Sequence, residues 1–377
     1  MNPLDGMLYG LSIATQSINL LAALVGALLG TFIGVLPGLG PVAGVALVIP
    51  LTYSLSPVTG LIALAGIFYG CMYGGSTTSI LVNIPGETAS VITCLDGYQM
   101  AMKGRAGAAL SVVAIGSFVA GTLSVVGVML FAPLLSNFAF SFGPAEFFAL
   151  TSVGLVVLSR VSGGSFARSL FVTSLGLLLA TIGMEEITAV SRFSFDVLEL
   201  SQGIEIVPVA VGLFGISEVL FVVEDLLGVP RAIPVKLREL LPTQEEWRRT
   251  LPAWGRGTAL GFVMGFLPGP MNVLSTFASY RLEKAVSRRK DEFGKGAIEG
   301  VAGPEAANNA AATAQFVPLL SLGLPFSAIM ALLMAAMMIH GVQPGPLLVV
   351  QRPEVFWGIM ASMYIGNIAL LILNLPL

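Results

Sequence analysis

Long apolar stretches, interrupted by short clusters of glycine, proline and small polar residues, set the pattern of this chain. Apolar positions dominate residues 11–36, 42–51, 58–72, 107–132, 141–158, 165–184 and 205–223. The longer stretches reach the ~20 residues that a helix needs to cross ~30 Å of hydrocarbon, so they predict membrane spans. The interruptions predict where spans break. Residues 34–41 read G-V-L-P-G-L-G-P, and two prolines with three glycines do not continue a helix, although the apolar pattern resumes at Val42. Residues 69–86 gather Gly70, Gly74, Gly75, Ser76, Thr77, Thr78, Ser79 and Asn83 and stop at Pro85-Gly86. Glycine frees the backbone and proline removes a donor, so this stretch is expected to interrupt a membrane helix and present carbonyls, amides and hydroxyls. A bilayer tolerates such a break only where protein buries it or a cavity receives it, and the stretch is read as half of a binding site. Residues 87–103 are too short and polar for a span and predict a re-entrant or hairpin element closed by Lys103-Gly104-Arg105.

The same order of breaks returns later in the chain. Residues 265–270, G-F-L-P-G-P, echo residues 34–38, and residues 303–309, G-P-E-A-A-N-N, begin a second small and polar interruption. Residues 322–328, L-G-L-P-F-S-A, echo residues 83–89, and residues 341–345 fall where residues 104–107 fall in the first half. Paired Gly/Pro-interrupted segments in two halves point to the midplane binding site of a secondary transporter. The expected fold is therefore an all-α polytopic membrane protein of two related, inverted repeats with broken helices and re-entrant hairpins. The expected division is a first repeat with its following spans over 1–223, a polar linker over 224–255 and a second repeat over 256–377.

Composition agrees with this class: 55% of the 377 residues are apolar, only 10% are charged, and the mean hydropathy is +0.90, whereas soluble domains are roughly 25% charged. The net charge of −3 matters less than its placement. No Lys or Arg precedes Lys103, and none lies between Arg105 and Arg160, between Arg256 and Arg281, or between Lys295 and Arg352. The basic stretch 281–295, and with it Lys103 and Arg105, is expected to face the cytoplasm. The linker mixes Arg231, Lys236, Arg238, Glu239, Glu245, Glu246, Arg248 and Arg249 and reads as a solvated connection. The N-terminus, M-N-P-L-D-G, lacks the basic region of a cleaved signal peptide, so the first span is expected to remain. Cys71 and Cys94 read as small buried residues, and Trp254 and Trp357 as span-end aromatics.

Candidate chemistry follows from what is missing. An anion at the midplane needs positive potential, and the basic side chains lie elsewhere. The N-terminus of a half-helix supplies unpaired N–H groups and about half a positive charge. Ser76, Thr77, Thr78 and Ser79 add hydroxyls, and Asn83, Asn308 and Asn309 both donate and accept. With Gly74, Gly75, Pro85, Gly86, Pro325 and Ser327 these form two facing tips around a substrate. Cation coupling is assigned to Glu305 and Asn308 and to the backbone at Gly38, Gly40 and Gly269, because a carboxylate in an apolar region is a functional candidate. Glu87 and Asp96 are expected nearer the interface, and His340 in an interfacial or core position. The alternative reading of the Ser/Thr cluster is back-bonding to carbonyls or interhelical contact. One His and two separated Cys argue against serine-type and metal chemistry, no convincing intramembrane Asp pair is present, and no transition metal is expected. An anion channel is disfavoured because one chain supplies two different half-sites.

The motifs G-V-L-P-G-L-G-P, Y-G-G-S-T-T-S-I-L-V-N-I-P-G-E, L-D-G-Y-Q-M-A-M-K-G-R-A-G and G-P-E-A-A-N-N-A, with P-L-L-S-L-G-L-P shortly after, occur in this order. Together they resemble the large membrane subunit of the tripartite tricarboxylate transporters, the TctA family. The resemblance implies import of citrate-like tricarboxylates or related carboxylates across the bacterial inner membrane. It also implies a small membrane subunit (TctB-like), a periplasmic solute-binding protein (TctC-like), and a sodium or proton gradient in place of ATP. No other cofactor and no nucleic-acid partner are expected; a self-sufficient carboxylate carrier or an anion channel is the alternative. Against the family pattern the second copy reads L-P-G-P-M-N, and Phe326 follows Pro325 where a Gly is usual. The family usually continues beyond the point reached at Leu377, so the chain reads as a shortened or incomplete member.

Overall fold

The computed structural model describes residues 2–36, 38–161, 165–185, 190–195, 197–201, 203–204, 208–209, 211–225 and 240–375. Pro37 and linker residues Arg231, Lys236, Arg238 and Glu239 lie outside them. Over the first half the helices are α1 (Pro3–Ala14), α2 (Ser17–Val35), α3 (Gly40–Val48), α4 (Pro57–Val82), α5 (Val91–Met102), α6 (Ala106–Ala139), α7 (Pro144–Val161), α8 (Phe166–Ala180), α9 (Leu198–Ser201) and α10 (Ser217–Asp225). Then follow α11 (Gln244–Gly265), α12 (Met271–Val286), α13 (Glu299–Ala314), α14 (Phe316–Leu322), α15 (Ala328–Ile339), α16 (Leu348–Gln351) and α17 (Pro353–Asn374). A two-residue ribbon, Gly183–Met184 with Ser191–Arg192, is the strand pairing among the described residues.

This is an all-α polytopic membrane protein. Helices α2, α4, α6 and α17 are long and apolar enough to cross a bilayer. Helices α2 and α6 turn a row of Leu, Val and Phe side chains outward, including Leu21, Phe32, Leu123 and Phe131, as a lipid-facing surface requires. Helix α4 instead runs through the middle of the molecule, with Phe68, Tyr69, Cys71 and Tyr73 fully enclosed.

The stretch expected to break α4 is helical as far as Val82, which corrects the reading of residues 69–82. Its glycines serve packing instead. Gly66, Gly70 and Gly74 recur every four residues and meet the matching row Gly26, Gly30 and Gly34 of α2 so closely that a Cβ on Gly30 would lie 2.9 Å from the Cα of Gly70. Van der Waals contact between small residues is what binds helices where the surroundings are as apolar as the interface. Residues 303–309 are likewise helical, inside α13, with Pro304 taken up within the helix. The breaks that remain are those at residues 36 and 38–39, 83–87, 266–270 and 323–327.

Two further expectations change. Residues 244–255 are not a solvated linker but the first turns of α11, started by a capping box between Thr243 and Glu246. Three of their four charges are paired: Arg105 bonds Glu246, Arg289 bonds Glu245, and Arg249 reaches Glu299 and Glu292. Trp254 and Trp357 are buried rather than interfacial, the first against Gly116 and the second beneath Gly6 and Gly10 of α1.

Each half also grips the root of the other. Asp96 on α5 accepts hydrogen bonds from the backbone N–H groups of Gly296 (2.7 Å) and Ala297 (2.9 Å) just before α13, and from the Tyr280 hydroxyl (2.9 Å). His340, at the end of α15, sits 3.1 Å from Thr52 Oγ1 just before α4.

Candidate functional site

Two hairpin tips organise the site, and their backbones follow one course. Helix α4 ends on Asn83 (φ 61°, ψ 28°), and four residues later Glu87 (φ −145°, ψ 163°) caps the 3-10 turn Thr88–Ser90 that leads into α5. Helix α14 ends on Gly323 (φ 70°, ψ 26°), and four residues later Ser327 (φ −146°, ψ 163°) caps α15. Asn and Gly are the residues that tolerate the left-handed conformation, a proline between them and the cap prevents helical continuation, and a side-chain oxygen at the cap takes an orphan N–H. Both return helices have 12 residues and close alike: Arg105 N–H donates to Met100 O and Val342 N–H to Met337 O, each at 2.8 Å, around Gly104 and Gly341 in the left-handed region.

Between the tips lies a cavity of about 490 Å³, walled by Glu87 and Thr88 from one tip and Ser327, Ala328 and Ile329 from the other. Pro41 and Val42 at the start of α3, Gly269, Pro270, Asn272 and Val273 at the start of α12, and Phe68 and Met72 of α4 complete it. The N-terminal ends of α3, the turn before α5, α12 and α15 thus converge on one space. A smaller adjoining cavity of about 290 Å³ shares Pro41, Val42, Glu87 and Thr88 and adds Gly38, Leu39, Gly40, Pro85 and Gly86. Among the described residues no Lys or Arg lines either space.

A chain of polar side chains runs behind the cavity from tip to tip. Glu87 Oε2 accepts from Ala89 N–H (3.0 Å) and Oε1 from Asn308 Nδ2 (2.8 Å). Asn308 Oδ1 accepts from Asn272 (3.5 Å), Asn272 Oδ1 from Gln315, and Gln315 Oε1 from the Ser327 hydroxyl. A second cluster lies deeper. Glu305 accepts from Ser76 (2.6 Å), Ser117 (2.9 Å) and Asn309 (3.1 Å), all of them buried. Among the described residues no cationic side chain is paired with Glu305, and Asn309 Oδ1 beside it has no hydrogen-bond partner.

The structure therefore sorts the residues expected at the site. Gly38, Gly40, Pro85 and Gly86 line the smaller cavity, and Gly269 and Ser327 the larger. Asn308 holds Glu87, and Gly75 makes room for it, since a Cβ there would come 2.7 Å from Glu87 Cγ. Ser79 buttresses the first tip through Ser90 (2.9 Å), while Thr78 bonds back to Gly75 O (3.1 Å). Asn83 and Pro325 shape the turns. Gly74 packs on α2, and neither it nor Thr77 lines these cavities. Ser76, Glu305 and Asn309 form the deeper cluster instead of touching the cavity. Glu87 and Asp96, expected near the interface, are buried, and Glu87 is on the cavity wall. Asn272, Gln315 and Ser117 were not anticipated; Asn272 alone carried a signal, as the polar residue after the L-P-G-P turn.

A family model described as "Tripartite tricarboxylate transporter TctA family" matches residues 20–377. An uncharacterized 52.8 kDa protein in the TAR-I ttuC' 3' region of Agrobacterium vitis is 48% identical over 378 residues, covering 100% of this chain and 75% of that relative. An uncharacterized protein in the TAR-II ttuC' 3' region of the same organism is 56% identical over 117 residues, 31% of this chain and 48% of the relative. No solved structure matches the chain.

Proposed function

The chain belongs to the tripartite tricarboxylate transporter TctA family, a transporter family and not an enzymatic one, and from that premise we propose that it is the large permease subunit of a carboxylate importer. In this reading the 490 Å³ cavity receives a citrate-like tricarboxylate or a related carboxylate. One observation carries it: the N-terminal ends of three helices, α3, α12 and α15, and of the 3-10 turn before α5 line a space that, among the described residues, has no basic side chain. Such ends bind anions through free N–H groups and the partial positive charge of the helix.

Glu87 gives the coupling its logic. An ionised carboxylate on the wall would repel an anionic substrate, so a sodium ion or a proton must enter with the substrate to make the pair bindable. Glu305, with the unpartnered Asn309 oxygen and the Ser76 and Ser117 hydroxyls around it, is the proposed second cation holder. Gly38, Gly40 and Gly269 hold positive-φ turns beside the cavity, where backbone carbonyls are proposed to help ligate a cation.

The two halves are proposed to be inverted repeats. The matched tips support this, as does the reciprocal docking of α5 on the root of α13 and of α15 on the root of α4. Lys103 Nζ bonds Lys295 O (2.5 Å) and Arg105 bonds Glu246, so basic residues of both halves gather at one end, assigned to the cytoplasm of a bacterial inner membrane. A TctB-like membrane subunit and a TctC-like binding protein complete the proposed system.

The test is uptake of a panel of di- and tricarboxylates into proteoliposomes, with the cation gradient and the two partner proteins varied one at a time. Saturable uptake that needs the gradient and the binding protein is expected. Uptake independent of the binding protein would indicate a self-sufficient carrier, and conductance that follows membrane potential alone would indicate a channel.

A further inference from the structure

A third cavity, of about 390 Å³, opens between the start of α11, the end of α12 and the start of α13, at the end of the molecule where the basic residues gather. It is walled largely by arginine. Three of these side chains are already committed: Arg249 to Glu299 (2.5 and 2.9 Å) and Glu292 (2.6 Å), Arg256 as a fork to Glu283 (2.5 and 2.9 Å), and Arg289 to Glu245. Those pairs fix the walls. Arg248 and Arg288 also line the cavity and, among the described residues, make no hydrogen bond or ion pair. Two guanidinium groups on a pre-built frame bring positive charge and N–H donors to one space, which suits the oxygens of a phosphate.

The surroundings say what kind of phosphate. Helix α11 changes along its length from charged, over 244–256, to apolar, over 257–265. Val263, 63% exposed on that helix, lies two turns from Arg256, or about 10 Å along the axis. Leu274 and Phe277 of α12 face outward at a similar remove, Val286 stands exposed on the cavity wall, and Leu251 stands exposed next to the lining residue Pro252. The arginines therefore sit at the edge of the apolar belt, where a ligand with a phosphate head and hydrocarbon tails satisfies both surfaces at once. We propose that this cavity binds the phosphate head group of an anionic phospholipid, held by Arg248 and Arg288 with its acyl chains along Leu251 and Val286. Basic recesses between membrane helices are suited to such head groups.

The experiment is native mass spectrometry of the detergent-purified full chain with added phosphatidylglycerol, phosphatidylcholine or inorganic phosphate. Wild-type protein, R248Q/R288Q and a charge-matched control, R281Q/K290Q, which removes two exposed basic residues outside the cavity, are compared. Expected is retention of phosphatidylglycerol over phosphatidylcholine by wild type and control, and a loss of about tenfold or more in R248Q/R288Q. Equal loss in both double variants would reduce the effect to diffuse attraction and overturn the site. Unchanged retention in R248Q/R288Q would overturn it as well, and displacement of the lipid by millimolar inorganic phosphate would overturn the assignment to a lipid. Because the carboxylate cavity is not touched, uptake activity is not needed to read the result.

Discussion

Asn308 Nδ2 donates to Glu87 Oε1 across 2.8 Å, joining a helix of one half to the hairpin tip of the other. Without that donor a buried carboxylate keeps only the Ala89 N–H, and hydrogen bonds to charged groups contribute about 1.5–3 kcal/mol. Asn308→Ala is therefore expected to lower the initial rate of carboxylate uptake about ten- to hundredfold at matched reconstitution. Asn308→Asp, which sets two carboxylates against each other, should do worse. Wild-type rates in both variants would remove Glu87 and its partner from the transport cycle.

Glu87→Gln keeps the shape of the cap and deletes the charge that the coupling cation is proposed to answer. Accumulation against a gradient is expected to collapse, while equilibrium binding of the carboxylate persists and loses its dependence on sodium or pH. Isothermal titration at several cation concentrations checks this; binding that still requires the cation would place the coupling elsewhere.

Glu305 separates from Glu87 by position. It accepts from Ser76, Ser117 and Asn309 away from the cavity. Glu305→Gln should raise the cation concentration needed for half-maximal uptake without changing the ranking of carboxylates, whereas Glu305→Ala strands several buried donors and should cost about 3 kcal/mol or more of stability. Thermal unfolding in detergent distinguishes the two; equal melting temperatures would show that the deeper cluster is not held together by this acid.

The α2–α4 seam gives a stability test with an internal control. A Cβ on Gly70 would come 2.7 Å from Thr31 N, so Gly70→Ala should destabilise by about 1–3 kcal/mol. Gly176, inside α8, meets nothing within 4 Å, so Gly176→Ala should leave the melting temperature equal or slightly raised. A neutral Gly70→Ala would mean the two helices separate at no cost.

How much of this was readable beforehand depends on range. The turns were legible because their causes are local: Pro85 and Pro325 stop a helix whatever surrounds them, and Asn83 and Gly323 are residues that accept the left-handed turn. The family was legible for the same reason, as a series of such motifs. What failed was the inference from glycine content to a broken helix between Gly70 and Ser79. Glycine serves a bend and a close crossing equally well, and only the partner row on α2 decides between them. Residues 244–255 failed for a related reason, since Arg249 looks solvated until Glu299 is brought beside it. The path from Asn272 through Gln315 to Ser327 joins groups distant in sequence, and no spacing rule announces it.

The clasp between Asp96 and the amides of Gly296 and Ala297 has a bearing on biosynthesis. Those donors are encoded about two hundred residues downstream, and Asn308, which Glu87 needs, still later. While the ribosome is making the intervening chain, the early portion sits in the bilayer with two acids that water must solvate. Its compact state is deferred until the late portion arrives, so a messenger cut between them should yield a product that quality-control proteases remove.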